Sequence, residues 1–153
     1  MINSPKTCGK HETLQTVSRQ MSKSNIGTLP VVDENKKVIG IITDRDICLA
    51  VGKRNRQPIS ELKVQDVMTP RVHTCRPEDN VSAALKIMRT KHVSRVPVVD
   101  SEQRLKGIVT LKNIVRDTYE SKDAGDIEFM GDENVIKTIY SLANKNSLET
   151  IVM

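Results

Sequence analysis

Residues 29–47 read LPVVDENKKVIGIITDRDI, and residues 96–114 read VPVVDSEQRLKGIVTLKNI. The two stretches align without a gap at an offset of sixty-seven positions, and eight of their nineteen residues are identical. The same offset places Met21 on Met88. A constant offset over about a hundred residues indicates two copies of one supersecondary unit.

A hairpin is predicted at the centre of each copy. In the first copy, aliphatic runs at 29–32 and 38–42 flank a polar turn that begins at Asp33, and Asp100 begins the matching turn in the second copy. A second helix is predicted to follow each hairpin, starting at residue 44 in the first copy and at residue 111 in the second.

An amphipathic helix precedes each hairpin, and a short extended piece precedes that helix. Pro77-Glu78-Asp79 supplies helix-start signals in the second copy. Apolar residues recur at helical spacing in both copies, at Leu14, Val17 and Met21 and at Val81, Ala84, Leu85 and Met88. Since neither copy has enough apolar faces to close its own core, we expect an α/β (α+β) fold in which two β-α-β-β-α repeats pack about a pseudo-twofold axis.

The predicted domain organisation has four segments. They are a first repeat at 1–53, a linker at 54–66, a second repeat at 67–120 and an acidic C-terminal tail with a helix at 121–153. Residues 64–68, VQDVM, predict a short helical lead-in to the second repeat, and the first repeat starts too close to Met1 to have its own.

Composition and charge narrow the function classes. The chain has one Phe, two Tyr and no Trp, so stacking platforms for nucleic acid are scarce and a nucleic-acid partner is not expected. The net charge is +5, with +8 in residues 1–120 and −3 in residues 121–153, which favours a small anionic ligand.

Three cysteines are too few for a disulfide scaffold. Without a signal or membrane segment in the sequence, we expect a cytoplasmic protein.

The two repeats resemble a tandem pair of cystathionine β-synthase (CBS) domains, the Bateman module. The resemblance rests on two in-register units, each with a hydrophobic residue followed by PVVD, then a polar turn, then Gly, two hydrophobic residues and T-x-x-D/N. It covers roughly residues 5–120. It implies a regulatory, non-catalytic module that binds AMP, ADP, ATP or S-adenosylmethionine in clefts between the repeats, without a catalytic cofactor. It also implies a homodimer and an effector protein whose identity the sequence does not give.

The resemblance assigns roles to the two T-x-x-D/N segments. Thr43 would contact a phosphate and Asp46 a ribose, while Thr110 and Asn113 hold the matching positions. A threonine hydroxyl and the N–H groups of a helix start suit phosphate, and a carboxylate accepts hydrogen bonds from both ribose hydroxyls. Because the amide of Asn113 has one acceptor oxygen and no charge, the second cleft is expected to be weaker, altered in specificity or empty. The same residues also serve as helix caps, a purely structural role.

Four further residues are candidates for these clefts. Arg95 stands where family members place a basic residue that reaches phosphate, although a surface arginine is an equally good interpretation. Thr28 occupies the matching position in the first repeat and offers only a hydroxyl. Thr7 and Thr74, on the first strand of each repeat, are candidate cleft-lining residues.

Two other function classes compete with ligand sensing. An enzyme is not expected, because the sequence has no Ser-His-Asp or Cys-His constellation and no Gly-rich phosphate loop. A zinc-binding or redox-responsive protein is the main alternative, since Cys8-x-x-His11 and His73-x-Cys75 lie at comparable places in the repeat. We favour buried structural cysteines and exposed histidines, and hence no metal site.

Overall fold

The computed structural model describes residues 1–53, 57–121 and 137–139. These residues fall into two compact units. Among the described residues, the first unit comprises 4–53, 57–72 and Val99–Leu105, and the second comprises Met1–Asn3, His73–Val98, 106–121 and 137–139. Within the described part of the chain, no helix has the length and apolar character needed to cross a membrane.

The first unit contains a three-stranded sheet and two helices. The elements are β2 (Cys8–Gly9), α1 (Leu14–Ser24), β3 (Thr28–Val32), β4 (Val38–Thr43) and α2 (Asp44–Lys53). The sheet has the order β2-β3-β4, in which β2 and β3 are parallel and β3 and β4 are antiparallel.

The second unit repeats this pattern in part. Its elements are β1 (Ile2–Asn3), α3 (Val81–Lys91), β5 (Arg95–Val99), β6 (Leu105–Thr110) and α4 (Leu111–Ser121). The sheet has the order β1-β6-β5, and the short extended piece predicted before α3 is reduced to one parallel bridge between Cys75 and Val98. The predicted mixed α and β fold class is therefore confirmed. Both second helices begin at the predicted residues.

Side-chain caps set the start of the first helix in each repeat. Thr13 caps α1 by accepting the N–H of Thr16, and Asn80 caps α3 by accepting the N–H of Ala83. The apolar stripe of α1 is buried at Leu14, Val17 and Met21, whereas in the stripe of α3 the first residue, Val81, is 56% exposed. A residue in the first turn of a helix is covered only if another segment packs over that turn.

The two hairpin turns have the same architecture. Oδ1 of Asp33 accepts the N–H groups of Asn35 and Lys37 at 2.9 and 2.8 Å. Asp100 does the same for Glu102 and Arg104 at 3.0 and 2.9 Å. Both aspartates therefore act as turn starters, as the sequence predicts.

The segment after α2 contains the predicted short helix, a 3-10 turn over Val64–Asp66. It packs in the core of the first unit, where Leu62 and Val64 are both 0% exposed. The N–H of Leu14 binds the carbonyl of Leu62 at 2.8 Å, and the N–H of Val64 binds the carbonyl of Glu12 at 2.9 Å.

Two glycines allow a methionine to lie against each sheet. A Cβ on Gly40 would lie 2.6 Å from Sδ of Met68, and a Cβ on Gly107 would lie 2.6 Å from Sδ of Met1. Strand pairing follows the same pattern, since Thr69 bridges Ile41 and Ile2 pairs with Ile108. The offset of sixty-seven relates both glycines and both methionines, so each repeat uses the same close approach.

The predicted tail lies mostly outside the described residues. Residues 137–139 are helical, and Thr138 is 0% exposed. The predicted boundaries at 53, 66 and 120 stay predictions.

Candidate functional site

Thr43 and Asp46 form a reciprocal pair at the junction of β4 and α2. Asp46 Oδ2 accepts the hydroxyl of Thr43 at 2.7 Å and its N–H at 2.9 Å, and the N–H of Asp46 donates to Thr43 Oγ1 at 3.2 Å. This is a capping box, which satisfies otherwise unpaired donors at a helix start. Both side chains are half-buried. Within the described part of the chain, Oδ1 of Asp46 receives no hydrogen bond, so one carboxylate oxygen is available to a ligand.

Thr110 and Asn113 form the corresponding pair where β6 meets α4. The hydroxyl of Thr110 donates to Oδ1 of Asn113, and the N–H of Asn113 donates to Thr110 Oγ1 at 3.1 Å. Both side chains are half-buried. An amide therefore replaces the carboxylate without loss of the threonine contact. What the second repeat lacks is the negative charge and the second acceptor oxygen.

The first turn of α2 has few N–H groups left for a ligand. The N–H of Asp44 binds the carbonyl of Gly27 at 3.1 Å, and the N–H of Arg45 binds Asp44 Oδ1 at 2.8 Å. With the N–H of Asp46 held by Thr43, all three donors are occupied. A phosphate at this helix start would have to compete with these three bonds, and the expectation that these groups bind phosphate stays a prediction.

The first turn of α4 differs in both hydrogen bonding and charge. The N–H of Leu111 binds the carbonyl of Ser94 at 2.9 Å, which matches the Asp44–Gly27 contact of the first repeat. Leu111 has no acceptor side chain, so the bond from Arg45 to Asp44 has no equivalent at Lys112. Two carboxylates lie in the first turn of α2 and none in that of α4. The start of α4 is thus the better environment for an anion.

Sequence reasoning missed Asp44 as a determinant of this difference. The signal was present in the alignment of the repeats, where Asp44 falls on Leu111 and Arg45 falls on Lys112. A residue-by-residue comparison of charge at the two helix starts would have found it.

The structure brings Thr28 next to Thr43. They are register partners in the β3–β4 ladder, and Thr28 is 7% exposed. Arg95 begins β5 and is exposed, one residue after Ser94, whose carbonyl receives the first N–H of α4. Thr28 and Arg95 therefore lie at the same end of their sheets as the T-x-x-D/N segments.

Thr7 and Thr74 lie farther along their sheets. Cys8 is the register partner of Val31, so Thr7 is level with Pro30, two residues or roughly 7 Å from Thr28. The bridge between Cys75 and Val98 likewise places Thr74 level with Pro97. Both threonines are half-buried, and their role as cleft-lining residues stays a prediction.

The cysteines of the zinc hypothesis are core residues. Cys8 and Cys75 are 2% and 6% exposed, and their thiols lie 4.0 Å from the carbonyls of Pro30 and Pro97. Burial, with a smaller contribution from the charge of Glu12, raises the pKa of Cys8 to about 12. Burial also raises the pKa of Cys75. Because a raised pKa keeps the thiols protonated, metal-binding thiolates are disfavoured. The described residues contain no group of three or more His, Cys, Asp or Glu side chains that could hold a metal ion.

The sequence matches the CBS domain family over residues 1–53 and 64–119. The chain belongs to the CBS domain family. Both matched ranges contain one T-x-x-D/N segment at a strand–helix junction, so the two capping pairs occupy equivalent positions in two CBS repeats.

Among CBS relatives, an uncharacterized protein of Methanopyrus kandleri is 34% identical over 105 residues, which are 69% of this chain and 53% of that protein. Inosine-5'-monophosphate dehydrogenase of Methanocaldococcus jannaschii is 36% identical over 110 residues, 72% of this chain and 21% of the dehydrogenase. The chain thus spans about half of one relative and a fifth of the other.

Solved structures include CBS pairs of similar size. The CBS domain pair of protein MJ0100, in complex with 5'-methylthioadenosine and S-adenosyl-L-methionine, is 31% identical with a TM-score of 0.65; the match covers 78% of this chain and 94% of that one. Hypoxic Response Protein I, which holds two coordinated zinc ions, is 29% identical with a TM-score of 0.66, and the match covers 76% and 92% of the two chains.

Proposed function

We propose that this CBS pair is a non-catalytic sensor that binds an adenosyl ligand through its two T-x-x-D/N segments. The observation that carries the proposal is the open Oδ1 of Asp46, held in place by the bonds that Oδ2 receives from Thr43. A carboxylate fixed in this way can accept both hydroxyls of a ribose on its free oxygen. The S-adenosylmethionine and methylthioadenosine bound to MJ0100 carry such a ribose.

The charge of the two helix starts supports a division of ligand chemistry between the repeats. At α2, the carboxylates of Asp44 and Asp46 outnumber the cation of Arg45 and disfavour a phosphate, so the first repeat would take adenosyl ligands that are neutral or positively charged beyond the ribose. At α4, the cations Lys112 and Arg95 favour a phosphate, and Asn113 would hold the ribose less strongly. AMP, ADP and ATP thus suit the second repeat, and S-adenosylmethionine suits the first.

The proposed output is a change in association with an effector protein, and we expect the sensor to work as a homodimer. Cleavage of the ligand is not part of the proposal.

A thermal-shift screen with AMP, ADP, ATP, S-adenosylmethionine, methylthioadenosine and NAD tests the proposal. A ligand that binds only the folded chain must raise its melting temperature, by an amount that grows with ligand concentration. We expect a shift with at least one adenosyl compound and none with guanosine or cytidine analogues. Absence of any shift at millimolar concentrations, or steady turnover of a nucleotide, would contradict the sensor function.

A further inference from the structure

A pocket of about 410 Å³ lies in the first unit, between the C-terminal half of α1, the turn into β3 and the first turn of α2. This volume is within the range of small-molecule sites, about 300–1,000 Å³. The pocket combines an apolar floor with a polar rim. The rim residues are Ser18, Ser22, Asn25, Gly27 and Asp44.

The pocket is separate from the T-x-x-D segment of the first repeat. Neither Thr43 nor Asp46 lines it. Because an α-helix has 3.6 residues per turn, the side chains of Asp44 and Asp46 leave α2 roughly 160° apart. The pocket therefore lies on the flank of α2 next to α1, away from the side chain of Asp46.

The polar side chains of the rim have unused hydrogen-bonding capacity. Within the described part of the chain, the side chains of Ser18, Ser22 and Asn25 make no hydrogen bond. Oδ1 of Asp44 accepts the N–H of Arg45 at 2.8 Å, whereas Oδ2 receives no bond from a described residue. The pocket thus presents three neutral polar groups and one negative charge, and no Lys, Arg or His side chain lines it.

Gly27 makes room for the carboxylate of Asp44. A Cβ on Gly27 would lie 2.6 Å from Oδ2 of Asp44 and 3.1 Å from its Cγ. Any larger residue at this position would have to push the carboxylate aside. The glycine and the aspartate therefore act together, and the position of the negative charge at the rim depends on both.

The second repeat keeps the apolar floor and changes the rim. At the offset of sixty-seven, Asp44 falls on Leu111 and Ser18 falls on Leu85, which is 3% exposed. Gly27 falls on Ser94, so the pair of a glycine and a carboxylate occurs only in the first repeat. The floor residues Met21, Ile26 and Ile47 fall on Met88, Val93 and Ile114.

We propose that this pocket binds a small organic cation, a primary ammonium or guanidinium group on a short aliphatic chain. Oδ2 of Asp44 accepts one charged N–H, and the serine hydroxyls and the amide oxygen of Asn25 accept the others. The aliphatic chain packs on Met21 and Ile47, which are buried. The site is independent of the adenosyl ligand.

Titration of the isotope-labelled full chain with n-butylguanidinium, followed by NMR, tests the proposal. Saturable shifts are expected at the backbone amides of residues 18–27 and 44–47. The control ligand is n-butylurea, which has the same shape without the charge and should not bind at the same concentrations. Absence of saturable shifts at millimolar concentrations, or equal binding of the urea, would overturn the proposal.

Three variants assign the cation to the rim. Asp44→Asn removes the charge at constant size and should weaken binding about threefold to fivefold, as expected for an exposed ion pair. Asp46→Asn removes an equal charge from the opposite flank and should have a smaller effect. Ser18→Leu introduces the side chain of the second repeat and should fill the pocket and abolish binding.

The NMR spectrum of each variant shows whether it is folded. Equal losses in Asp44→Asn and Asp46→Asn would overturn the assignment, because the cation would then respond only to the charge of the helix. Undiminished binding by folded Ser18→Leu would overturn it as well.

Dependence on protein concentration identifies the source of the cation. For a free small molecule, the affinity for n-butylguanidinium should be the same at every protein concentration. Affinity that falls as the protein concentration rises would show competition from a lysine or arginine of a second copy. That result would overturn the assignment to a small molecule.

Discussion

The hydroxyl of Thr43 donates a 2.7 Å hydrogen bond to Oδ2 of Asp46, and the N–H of Asp46 returns a 3.2 Å bond to Oγ1 of Thr43. The pair begins helix α2 and at the same time fixes the carboxylate, leaving its second oxygen open. Helix capping and ligand binding are therefore compatible roles of the same two residues. The second repeat keeps the cap but has an amide in place of the carboxylate.

Removal of the carboxylate should affect ligand binding more than removal of the amide. Asp46→Ala is expected to weaken binding of S-adenosylmethionine about tenfold or more, because a hydrogen bond to a charged acceptor is worth about 1.5–3 kcal/mol. Asn113→Ala should cost less. Isothermal titration calorimetry measures both affinities, and equal losses would count against the assignment of the ribose to Asp46.

Lys112 in the first turn of α4 and Arg95 at the start of β5 should discriminate between ligands by phosphate charge. Lys112→Ala or Arg95→Ala is expected to weaken binding of AMP by several-fold while leaving adenosine nearly unchanged, and the difference should shrink in high salt. Lys86→Ala is the matched control, since Lys86 is an exposed lysine on α3. If the three variants lose AMP affinity equally, the phosphate is not bound at this helix start.

Gly40 is required by packing and not by backbone conformation. A Cβ at this position would lie 2.6 Å from Sδ of Met68 and 3.2 Å from the carbonyl oxygen of Thr69. Gly40→Ala should therefore lower the free energy of unfolding by about 1–3 kcal/mol, as overpacking does. Gly52→Ala is the control: nothing lies within 4 Å of its Cβ in helix α2, so this change should stabilise by about 0.5–1 kcal/mol. Urea denaturation distinguishes the two outcomes, and a stabilised Gly40→Ala variant would refute the packing requirement.

The buried thiol of Cys8 should make stability depend on alkaline pH. Its pKa rises from 9.0 in the unfolded chain to about 12 in the folded one. Between these values the unfolded state binds fewer protons than the folded state, so stability falls as pH rises, by at most about 1.4 kcal/mol per pH unit. Urea midpoints measured from pH 8 to 10.5 should decline less steeply for Cys8→Ala than for the wild type. Identical slopes would show that the thiol ionises as easily in the folded chain.

Much of the fold could be predicted because the sequence pattern of each element occurs in both repeats, so each copy supports the prediction made for the other. The hairpins, the turn aspartates and the starts of α2 and α4 follow from short-range patterns that both copies share. The position of Leu62 and Val64 could not be predicted, because their burial depends on contacts with a helix some fifty residues earlier in the chain. The exposure of Val81 has the same cause, since no periodicity reveals whether a covering segment is present.

The candidate site was predictable in its residues but not in its bonding. The sequence identifies Thr43, Asp46 and their counterparts as candidates. Strand pairing explains why Thr28 lies beside Thr43, since the two are register partners on β3 and β4. That the first-turn N–H groups of α2 are already occupied depends on the carbonyl of Gly27 and the side chain of Asp44, which only the folded geometry brings together.

A reciprocal exchange tests the central claim most directly. Asp46→Asn gives the first repeat the amide of the second without removing the cap, and Asn113→Asp does the reverse. Calorimetric titration with S-adenosylmethionine should show about tenfold weaker binding for Asp46→Asn, unchanged or tighter binding for Asn113→Asp, and substantial recovery in the double variant. Wild-type affinity in Asp46→Asn, or no adenosyl binding by the wild type, would contradict the account.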